Sequence, residues 1–300
     1  MRLYNDILET TGNTPLVRIN SIVTRPGVTV ASKLEGQNPS GSVKDRIARA
    51  MLGDGIAGGA LRPGMTVIEA TSGNTGIAVA MACAVLGFPA EIVMSESVSV
   101  ERRQMLAAYG ARVILTPASD GTDGAQREVL RRIGADPSKY FHPDQFSNRA
   151  NPRAHYASTA EEILRDTDGR VTHFIAATGS TGTVTGVGAK LREQRANIEI
   201  VAAVPEAHHA IQGLRNFSET DMPAIYDPSV IDRSITVGTN EAFAMTRRLA
   251  LEEGIFAGMS AGAAMCAAAK VAESANEGSF IVVLFADRGE KYLSTGVFDS

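Results

Sequence analysis

The chain has 300 residues, of which 44% are hydrophobic and 21% charged, and its formal net charge is -4. This length and composition allow two lobes with separate cores and exclude a disordered chain. The slightly acidic balance argues against nucleic acid and anionic membrane surfaces as partners, and no apolar run is long enough to cross a bilayer.

The start of the chain, MRLYNDILETTGNTPLVRI, lacks the charged-then-apolar layout of a signal peptide, so we expect a cytoplasmic protein. Cys83 and Cys266 lie far apart in small-residue helical runs without metal-ligand spacing, which favours buried free thiols. The histidines are scattered apart from the pair His208 and His209, and we therefore expect no metal site.

Short β-branched runs alternate with helical stretches along the chain. The first series pairs MTVIEA with GIAVAMACAVLG, AEIVMS with SVERRQMLAAYG, and ARVILTP with GAQREVLRRIG. A second series runs from THFIAATG through AKLREQRA, IEIVAAVP and NEAFAMTRRLALEEG to an Ala-rich helix from Gly262 and the strand FIVVLFAD. This alternation predicts an α/β protein of two lobes, each with a mostly parallel sheet. Ligands of such sheets bind at the carboxyl ends of the strands, so the loops there are the candidates for chemistry.

Lys44 lies in NPSGSVKDR, residues 38–46, a turn that leads into a helical pattern. It is either a solvated residue of the first turn or an amine that the helix dipole makes easier to deprotonate, and hence a nucleophile. This stretch alone favours the solvated lysine, so the choice between the two alternatives depends on the other loops.

The loop TSGNTG, from Thr71 to Gly76, follows MTVIEA and opens the next helix. Its hydroxyl, amide and backbone N–H donors form a natural nest for a carboxylate. Helix capping explains two of its four polar residues but does not easily explain all of them.

The loop GSTGTVTG, from Gly179 to Gly186, follows THFIAATG. Glycines and hydroxyl residues before a helix are typical of a phosphate cradle, although such turns also occur for packing. The spacing fits neither the dinucleotide fingerprint nor the nucleoside triphosphate loop, so we expect the phosphate of a cofactor.

Ser260 lies in GIFAGMSAG, just before the Ala-rich helix, as either an N-cap or a ligand contact. An amine nucleophile, a carboxylate nest and a phosphate cradle on separate loops fit pyridoxal phosphate held by Lys44 and an amino-acid substrate.

Eight motifs cover nearly the whole chain: TGNTPLVRI, KLEGQNPSGSVKDR, EATSGNTGIAVA, ERRQMLAAYGA, DQFSNRANPRAHY, GSTGTVTG, GIFAGMSAG and DRGEKYLSTGVF. In this order they resemble the cysteine synthase and cystathionine β-synthase family of fold type II pyridoxal phosphate enzymes. The resemblance implies a smaller mobile lobe over residues 41–146, which carries the carboxylate loop, and a larger lobe over residues 1–40 and 147–300, which carries the phosphate loop. It also implies a homodimer.

The resemblance assigns roles to matching positions. It implies that Lys44 forms the internal aldimine, that Asn74 hydrogen-bonds the 3′-oxygen of the cofactor, and that Ser260 faces the pyridine nitrogen. The cofactor phosphate would bind the loop residues Gly179, Ser180, Thr181, Gly182 and Thr183. The substrate carboxylate would bind Thr71, Ser72, Gly73, Thr75 and Gln145.

The implied activity is cysteine synthesis by β-replacement. Lys44 would remove the α-proton of an activated serine, the β-leaving group would depart to give an aminoacrylate, and sulfide or thiosulfate would add. The neutral hydroxyl of Ser260 would moderate the ring as an electron sink, which favours elimination over transamination.

Three segments, MSESVSVERRQ, HPDQFSNRANPRAHY and EEGIFAGMSAG, are closer to B-type than to A-type cysteine synthases. In GLRN, Arg215 matches an arginine of B-type enzymes that would bind a phosphate or thiosulfate at the cofactor mouth. The alternative is a surface arginine paired with Glu219 or Asp221. O-acetylserine is the expected donor and O-phosphoserine the alternative.

Two further alternatives stay open. The same cofactor would serve a different nucleophile in a cystathionine β-synthase-like enzyme, or the chain would be a regulatory binding module. Intact Lys44, Asn74 and Ser260 argue against the module. The expected partners are an amino-acid substrate and a sulfur donor, while a complex with serine acetyltransferase, which A-type enzymes form, rests on the resemblance alone.

Overall fold

The structure is a computed structural model that describes residues 3–71 and 73–299. The strands are β1 (Leu16–Arg18), β2 (Thr29–Leu34), β3 (Thr66–Ala70), β4 (Ala90–Ser95), β5 (Arg112–Thr116), β6 (Tyr140–Phe141), β7 (His173–Ala177), β8 (Glu199–Pro205), β9 (Arg233–Val237) and β10 (Phe280–Phe285). The α-helices are α1 (Lys44–Ala57), α2 (Asn74–Leu86), α3 (Val100–Ala108), α4 (Gly121–Ala135), α5 (Ala150–Ala154), α6 (Ala160–Asp166), α7 (Gly182–Gln194), α8 (Thr239–Glu253) and α9 (Met259–Ser274). A π-helical segment, His155–Thr159, joins α5 to α6, and a 3₁₀ helix covers Gly289–Thr295.

The strands in the described part of the chain form two sheets. The larger has the order β1-β2-β10-β7-β8-β9 and is parallel except for β1, which runs antiparallel to β2. The smaller has the order β5-β4-β3-β6 and is parallel throughout. The predicted α/β class, with two mostly parallel sheets flanked by helices, is confirmed.

Parallel strands in both sheets are covered by helices on their faces, which explains their apolar sequences. All residues of β3 and β4 are buried. Helix α2 is also apolar on nearly all sides, from Thr75 to Cys83, and packs in the core of the smaller sheet. Helix α9 packs in the same way against the larger sheet, where its alanines allow close contact with α8.

A buried ion cluster holds the first turn of α1 against the larger sheet. Arg46 donates through Nε and Nη2 to the two carboxylate oxygens of Glu35 at 2.7 and 2.8 Å, and through Nη1 to Glu162 Oε1 at 2.7 Å. Lys33 Nζ in β2 lies 2.9 Å from Glu162 Oε2. Because these charges are buried and compensate one another, the cluster fixes the position of Lys44 two residues before Arg46.

The strands of the smaller sheet lie between Thr66 and Phe141, inside the range predicted for the smaller lobe. The lobe boundaries and the mobility of the smaller lobe stay predictions. Cys83 and Cys266 are buried free thiols, and burial raises the pKa of each to about 12.

No helix among residues 3–71 and 73–299 combines the length and the apolar character needed to cross a membrane. In the same residues, no group of three or more His, Cys, Asp or Glu side chains is placed to hold a metal ion.

Candidate active site

A cavity of about 370 Å³ lies between the two sheets. The loops after β3, β7, β8 and β10 contribute to its walls, together with the start of α1 and the start of α9. All these strands are parallel, so their carboxyl ends converge on one cleft, as the sequence predicted for the site.

Lys44 lies at the first position of α1 and lines the cavity. The turn before it is held by Asp45, whose carboxylate accepts a hydrogen bond from Ser40 N at 2.6 Å and another from the Ser40 hydroxyl. Lys44 is half-buried, and desolvation of its amine lowers its pKa to about 8, with the charges of Asp287 and Glu35 opposing the shift. Lys44 Nζ has no hydrogen-bond acceptor among the described residues. The geometry therefore supports an amine available for reaction rather than a solvated lysine.

Asn74, at the first position of α2, is oriented through both ends of its side-chain amide. Its Nδ2 donates to Asp287 Oδ2 at 2.7 Å, and its Oδ1 accepts from Lys291 Nζ at 3.0 Å. Asp287 Oδ2 also accepts from the Tyr292 hydroxyl at 2.7 Å. Asp287 Oδ1 is buried and lacks a hydrogen-bond partner among the described residues.

The loop after β3 brings several predicted carboxylate ligands together. Thr71 and Thr75 line the cavity, and the Thr75 hydroxyl donates to Gln145 Oε1 at 2.6 Å. The Gly73 N–H donates to Thr71 Oγ1 at 3.1 Å. Gly73 has φ 151°, and a Cβ there would collide with the side chain of Arg102, so only glycine fits. The prediction for Ser72 lies outside the described residues.

The loop after β7 presents backbone donors to the cavity. Gly179, Ser180 and Thr183 line it, and Thr181 and Gly182 complete the turn into α7. The backbone N–H groups of residues 180–183 donate to no acceptor among the described residues. Free N–H groups at the N-terminus of a helix, here one of 13 residues, are suited to bind an anion.

Glycine is required at position 182 because a Cβ would collide with the side chain of Asn151. Asn151 supports the loop from below: its Nδ2 donates to Gln145 O at 2.7 Å and to Ser180 Oγ at 3.3 Å. These hydrogen bonds fix the position of the loop that carries the free N–H groups of residues 180–183.

Ser260 lies in the first turn of α9, is buried, and lines the same cavity. Its hydroxyl makes no hydrogen bond within the part of the chain that the structure describes. It does not cap α9, whose N-cap residue is Gly258. The alternative of a ligand contact is therefore favoured over an N-cap.

Arg215 lines the cavity, and its ion-pair partner is neither Glu219 nor Asp221. Its Nη2 donates to Asp123 Oδ1 at 3.1 Å, and its guanidinium carbon lies 4.6 Å from the centre of the Phe146 ring. Glu219 instead binds His208, through its backbone N–H at 3.0 Å and its Nδ1 at 2.7 Å. The alternative of a surface arginine paired with Glu219 or Asp221 is wrong, because Arg215 pairs with Asp123 of α4 across the cleft.

The cleft contains further residues that the sequence did not assign to the site. Arg102, on α3, donates through Nη1 to Gln212 Oε1 at 2.6 Å and lies over the Tyr292 ring at 4.8 Å. His209 lines the cavity as well. The neighbouring motif GLRN, whose Arg215 the resemblance places at the cofactor mouth, is the signal that could have found Gln212 and His209.

The model of the family described as pyridoxal-phosphate dependent enzyme matches residues 7–287 of this chain. These residues include every predicted site residue, from Lys44 to Ser260.

Individual proteins match over nearly the whole chain. Cysteine synthase B of Salmonella typhimurium is 44% identical over 294 residues, which cover 98% of this chain and 96% of the relative. O-ureido-L-serine synthase of Streptomyces lavendulae is 43% identical and covers 100% of this chain and 94% of the relative. The crystal structure of a cysteine synthase from Entamoeba histolytica has a TM-score of 0.94 at 41% identity, covering 100% of this chain and 92% of that chain. The chain therefore belongs to the pyridoxal-phosphate dependent enzymes and, within them, to the cysteine synthase family of the B type.

Proposed function

We propose that this enzyme is a cysteine synthase that replaces the β-substituent of an activated serine, O-acetylserine in the first place, by sulfide. The observation that carries the proposal is the convergence of the Lys44 amine, the free N–H groups of residues 180–183 and the carboxylate nest around Thr71 on one cavity. The likeness to cysteine synthase B from several bacteria supports it.

The donor set of the cavity fits pyridoxal phosphate. The free N–H groups of residues 180–183 suit a phosphate, and a Lys44 amine with a pKa of about 8 suits a covalent bond to the cofactor aldehyde. Asn74 and Ser260 would contact the ring from the starts of α2 and α9. When bound, the cofactor supplies an electron-withdrawing ring that makes the substrate Cα–H acidic.

Lys44 would also be the base of the reaction. An amine whose pKa lies near 8 is partly neutral at cellular pH, so its Nζ accepts the Cα proton and later returns it. The ion cluster around Arg46 keeps this amine in place, since it anchors the same helical turn. A partly neutral amine in a fixed position supports Lys44 as the catalytic residue.

Thr71, Ser72, Gly73, Thr75 and Gln145 would hold the substrate carboxylate. The Thr75–Gln145 hydrogen bond already links the loop after β3 to the chain that leads into α5. A carboxylate bound there would place the substrate Cα towards Lys44. We also propose that the smaller lobe, residues 41–146, closes over the substrate and excludes water.

Arg215 would bind the β-substituent at the cavity entrance. Its side chain is only 11% exposed, and the Phe146 ring supports one side of the guanidinium. The same guanidinium would bind the phosphate of O-phosphoserine, which is the alternative serine donor. It would also bind thiosulfate, which is the alternative sulfur source.

The main alternative is an enzyme that uses a nucleophile other than sulfide. Relatives of similar sequence or structure have names that point to other products. O-ureido-L-serine synthase is the name of the Streptomyces lavendulae relative, and an O-acetylserine dependent cystathionine β-synthase of Helicobacter pylori has a TM-score of 0.94 at 33% identity. The non-enzyme alternative is a regulatory binding module, which would not need the Lys44 amine.

We further propose a cytoplasmic homodimer. The two buried free thiols support a reducing compartment. The dimer rests on the family resemblance, and multi-angle light scattering of the purified protein tests it. The acetyltransferase complex remains a prediction from the resemblance.

The test of the proposed function is cysteine formation by the purified yellow enzyme from O-acetylserine and sulfide, with homocysteine as the competing nucleophile. We expect cysteine as the main product and no product from Lys44→Ala. Cystathionine as the main product would favour the alternative nucleophile. A colourless pure protein without pyridoxal phosphate would contradict both enzyme functions.

A further inference from the structure

The ion pair between Asp123 and Arg215 crosses the cleft between the two sheets. Asp123 lies in the first turn of α4, which packs on β3, β4 and β5 of the smaller sheet. Arg215 lies in the segment after β8 of the larger sheet, and its backbone N–H donates to Thr178 O at 2.9 Å. The pair therefore connects the two walls of the cavity entrance.

The guanidinium of Arg215 is held on two sides and open on the third. Phe146 supports it at 4.6 Å from ring centre to guanidinium carbon, and Asp123 takes one hydrogen bond, at Nη2. The remaining N–H donors of this fork bind no acceptor in the described residues, and the side chain lines the cavity. A substrate group in the entrance would meet these donors.

A substrate group in the entrance interacts with both charges of the ion pair, the positive charge of Arg215 and the negative charge of Asp123. The Asp123 carboxylate, with a side chain 44% exposed, lies 3.1 Å from Nη2, and Asp221 adds a second negative charge nearby. A neutral ester oxygen can accept from Arg215 without any cost from Asp123. A phosphate carries a charge of about -1.5 to -2 near neutral pH, so it is repelled by the carboxylate beside its own binding group.

We propose that Asp123 is a specificity-determining residue that disfavours serine donors with an anionic leaving group by compensating the charge of Arg215. This inference rests on the proposed function, because it deepens the choice of donor at the same site. It implies that the enzyme prefers a neutral acyl ester, although Arg215 by itself suits a phosphate.

Equilibrium binding of two unreactive donor analogues to the holoenzyme tests the inference without turnover. L-2-amino-4-phosphonobutanoate resembles O-phosphoserine, and 5-oxo-L-norleucine resembles O-acetylserine, and each has a methylene in place of the bridging oxygen. Calorimetry measures both dissociation constants for the wild type, Asp123→Asn, Arg215→Ala and the double variant. Asn keeps an acceptor for Arg215, so Asp123→Asn changes the charge while the geometry is kept. Asp123→Ser serves as a second variant with the same loss of charge.

Asp120→Asn is the matched control. Asp120 lies three residues before Asp123 and is also partly exposed, but it binds Arg127 at 3.2 Å and is not a partner of Arg215. The control removes the same charge from the same end of α4.

We expect Asp123→Asn to tighten binding of the phosphonate about tenfold and to change binding of the neutral analogue less than twofold. In the Arg215→Ala background the gain for the phosphonate should fall below about threefold, because the phosphonate is no longer held beside Asp123. Asp120→Asn should leave both constants within twofold of the wild type.

A gain below about threefold in Asp123→Asn, an equal gain for both analogues, or an equal gain in Asp120→Asn would each overturn the inference. Failure of the proposed function is visible separately, as a wild type that makes no cysteine from O-acetylserine and sulfide. The binding constants still decide the role of Asp123 in that case.

Discussion

Asn74 donates its side-chain N–H to Asp287 Oδ2 over 2.7 Å and thereby joins the start of α2, on the smaller sheet, to the loop after β10 of the larger sheet. Asp287 is buried, and its charge also acts on Lys44 by favouring the protonated amine. The orientation of Asn74 and the basicity of Lys44 therefore depend on the same carboxylate.

The rate of cofactor binding at different pH values should reveal the effect of Asp287 on the Lys44 amine. The pKa of Lys44 is lowered from 10.5 to about 8, so the neutral amine becomes the majority form as the pH rises through about 8. Pyridoxal phosphate should therefore recombine with the apoenzyme faster as the pH rises, with an inflection near 8. Because Asp287 raises the pKa of Lys44, Asp287→Asn should move the inflection to lower pH. Stopped-flow absorbance from pH 6 to 10 measures both profiles. A wild-type rate that still rises steeply at pH 10, with no inflection near 8, would be inconsistent with a desolvated Lys44.

Replacement of Arg46 should destabilise the fold strongly. Arg46→Met leaves Glu35 and Glu162 buried without their main cation, and loss of one member of a buried ion cluster costs about 3–5 kcal/mol. Urea unfolding followed by circular dichroism gives the free energy of unfolding.

Arg131→Met is the control for this cluster, since Arg131 is exposed and pairs with Glu128 at 2.7 Å on the surface of α4. Its effect on the free energy of unfolding should be much smaller than that of Arg46→Met, because solvent screens an exposed ion pair. Equal effects of the two substitutions would show that the ion cluster does not stabilise the start of α1.

Gly182→Ala should weaken cofactor binding. The new Cβ would collide with the side chain of Asn151, so the turn that carries the free N–H groups of residues 180–183 must shift. We expect a loss of at least about tenfold in affinity for pyridoxal phosphate, which corresponds to ~1.4 kcal/mol or more. Equilibrium dialysis measures it.

Gly134→Ala is the companion substitution, because a Cβ at this position of α4 meets no atom within 4 Å. It should keep cofactor affinity unchanged and raise the free energy of unfolding by about 0.5–1 kcal/mol. Unchanged affinity in Gly182→Ala as well would argue against the phosphate cradle.

Sequence alone predicted the parts of the site that are encoded locally. The loops around Lys44, Thr71 and Gly179 carry turn and hydroxyl residues directly before helices. Such a stretch predicts a helix N-terminus whose free N–H groups can bind an anion. Periodicity likewise predicted the strands and helices of the two series named above, because each of them is a local pattern.

The remaining contacts depend on tertiary structure. Asn74 and Asp287 are 213 residues apart, and Asp123 and Arg215 are 92 residues apart, so no local pattern links them. Strand β2 was not predicted because TVASKL contains Lys33, whose burial makes sense only once Glu162 is brought beside it.

The most direct test of the central claim is to reduce the yellow holoenzyme with borohydride and to locate the fixed cofactor by peptide mass spectrometry. Lys291 is the informative competitor, because it is buried near the same cavity, with its Nζ 3.0 Å from Asn74 Oδ1, and burial lowers its pKa. The account predicts the cofactor mass on Lys44. A cofactor mass on Lys291, or on no lysine, would contradict it.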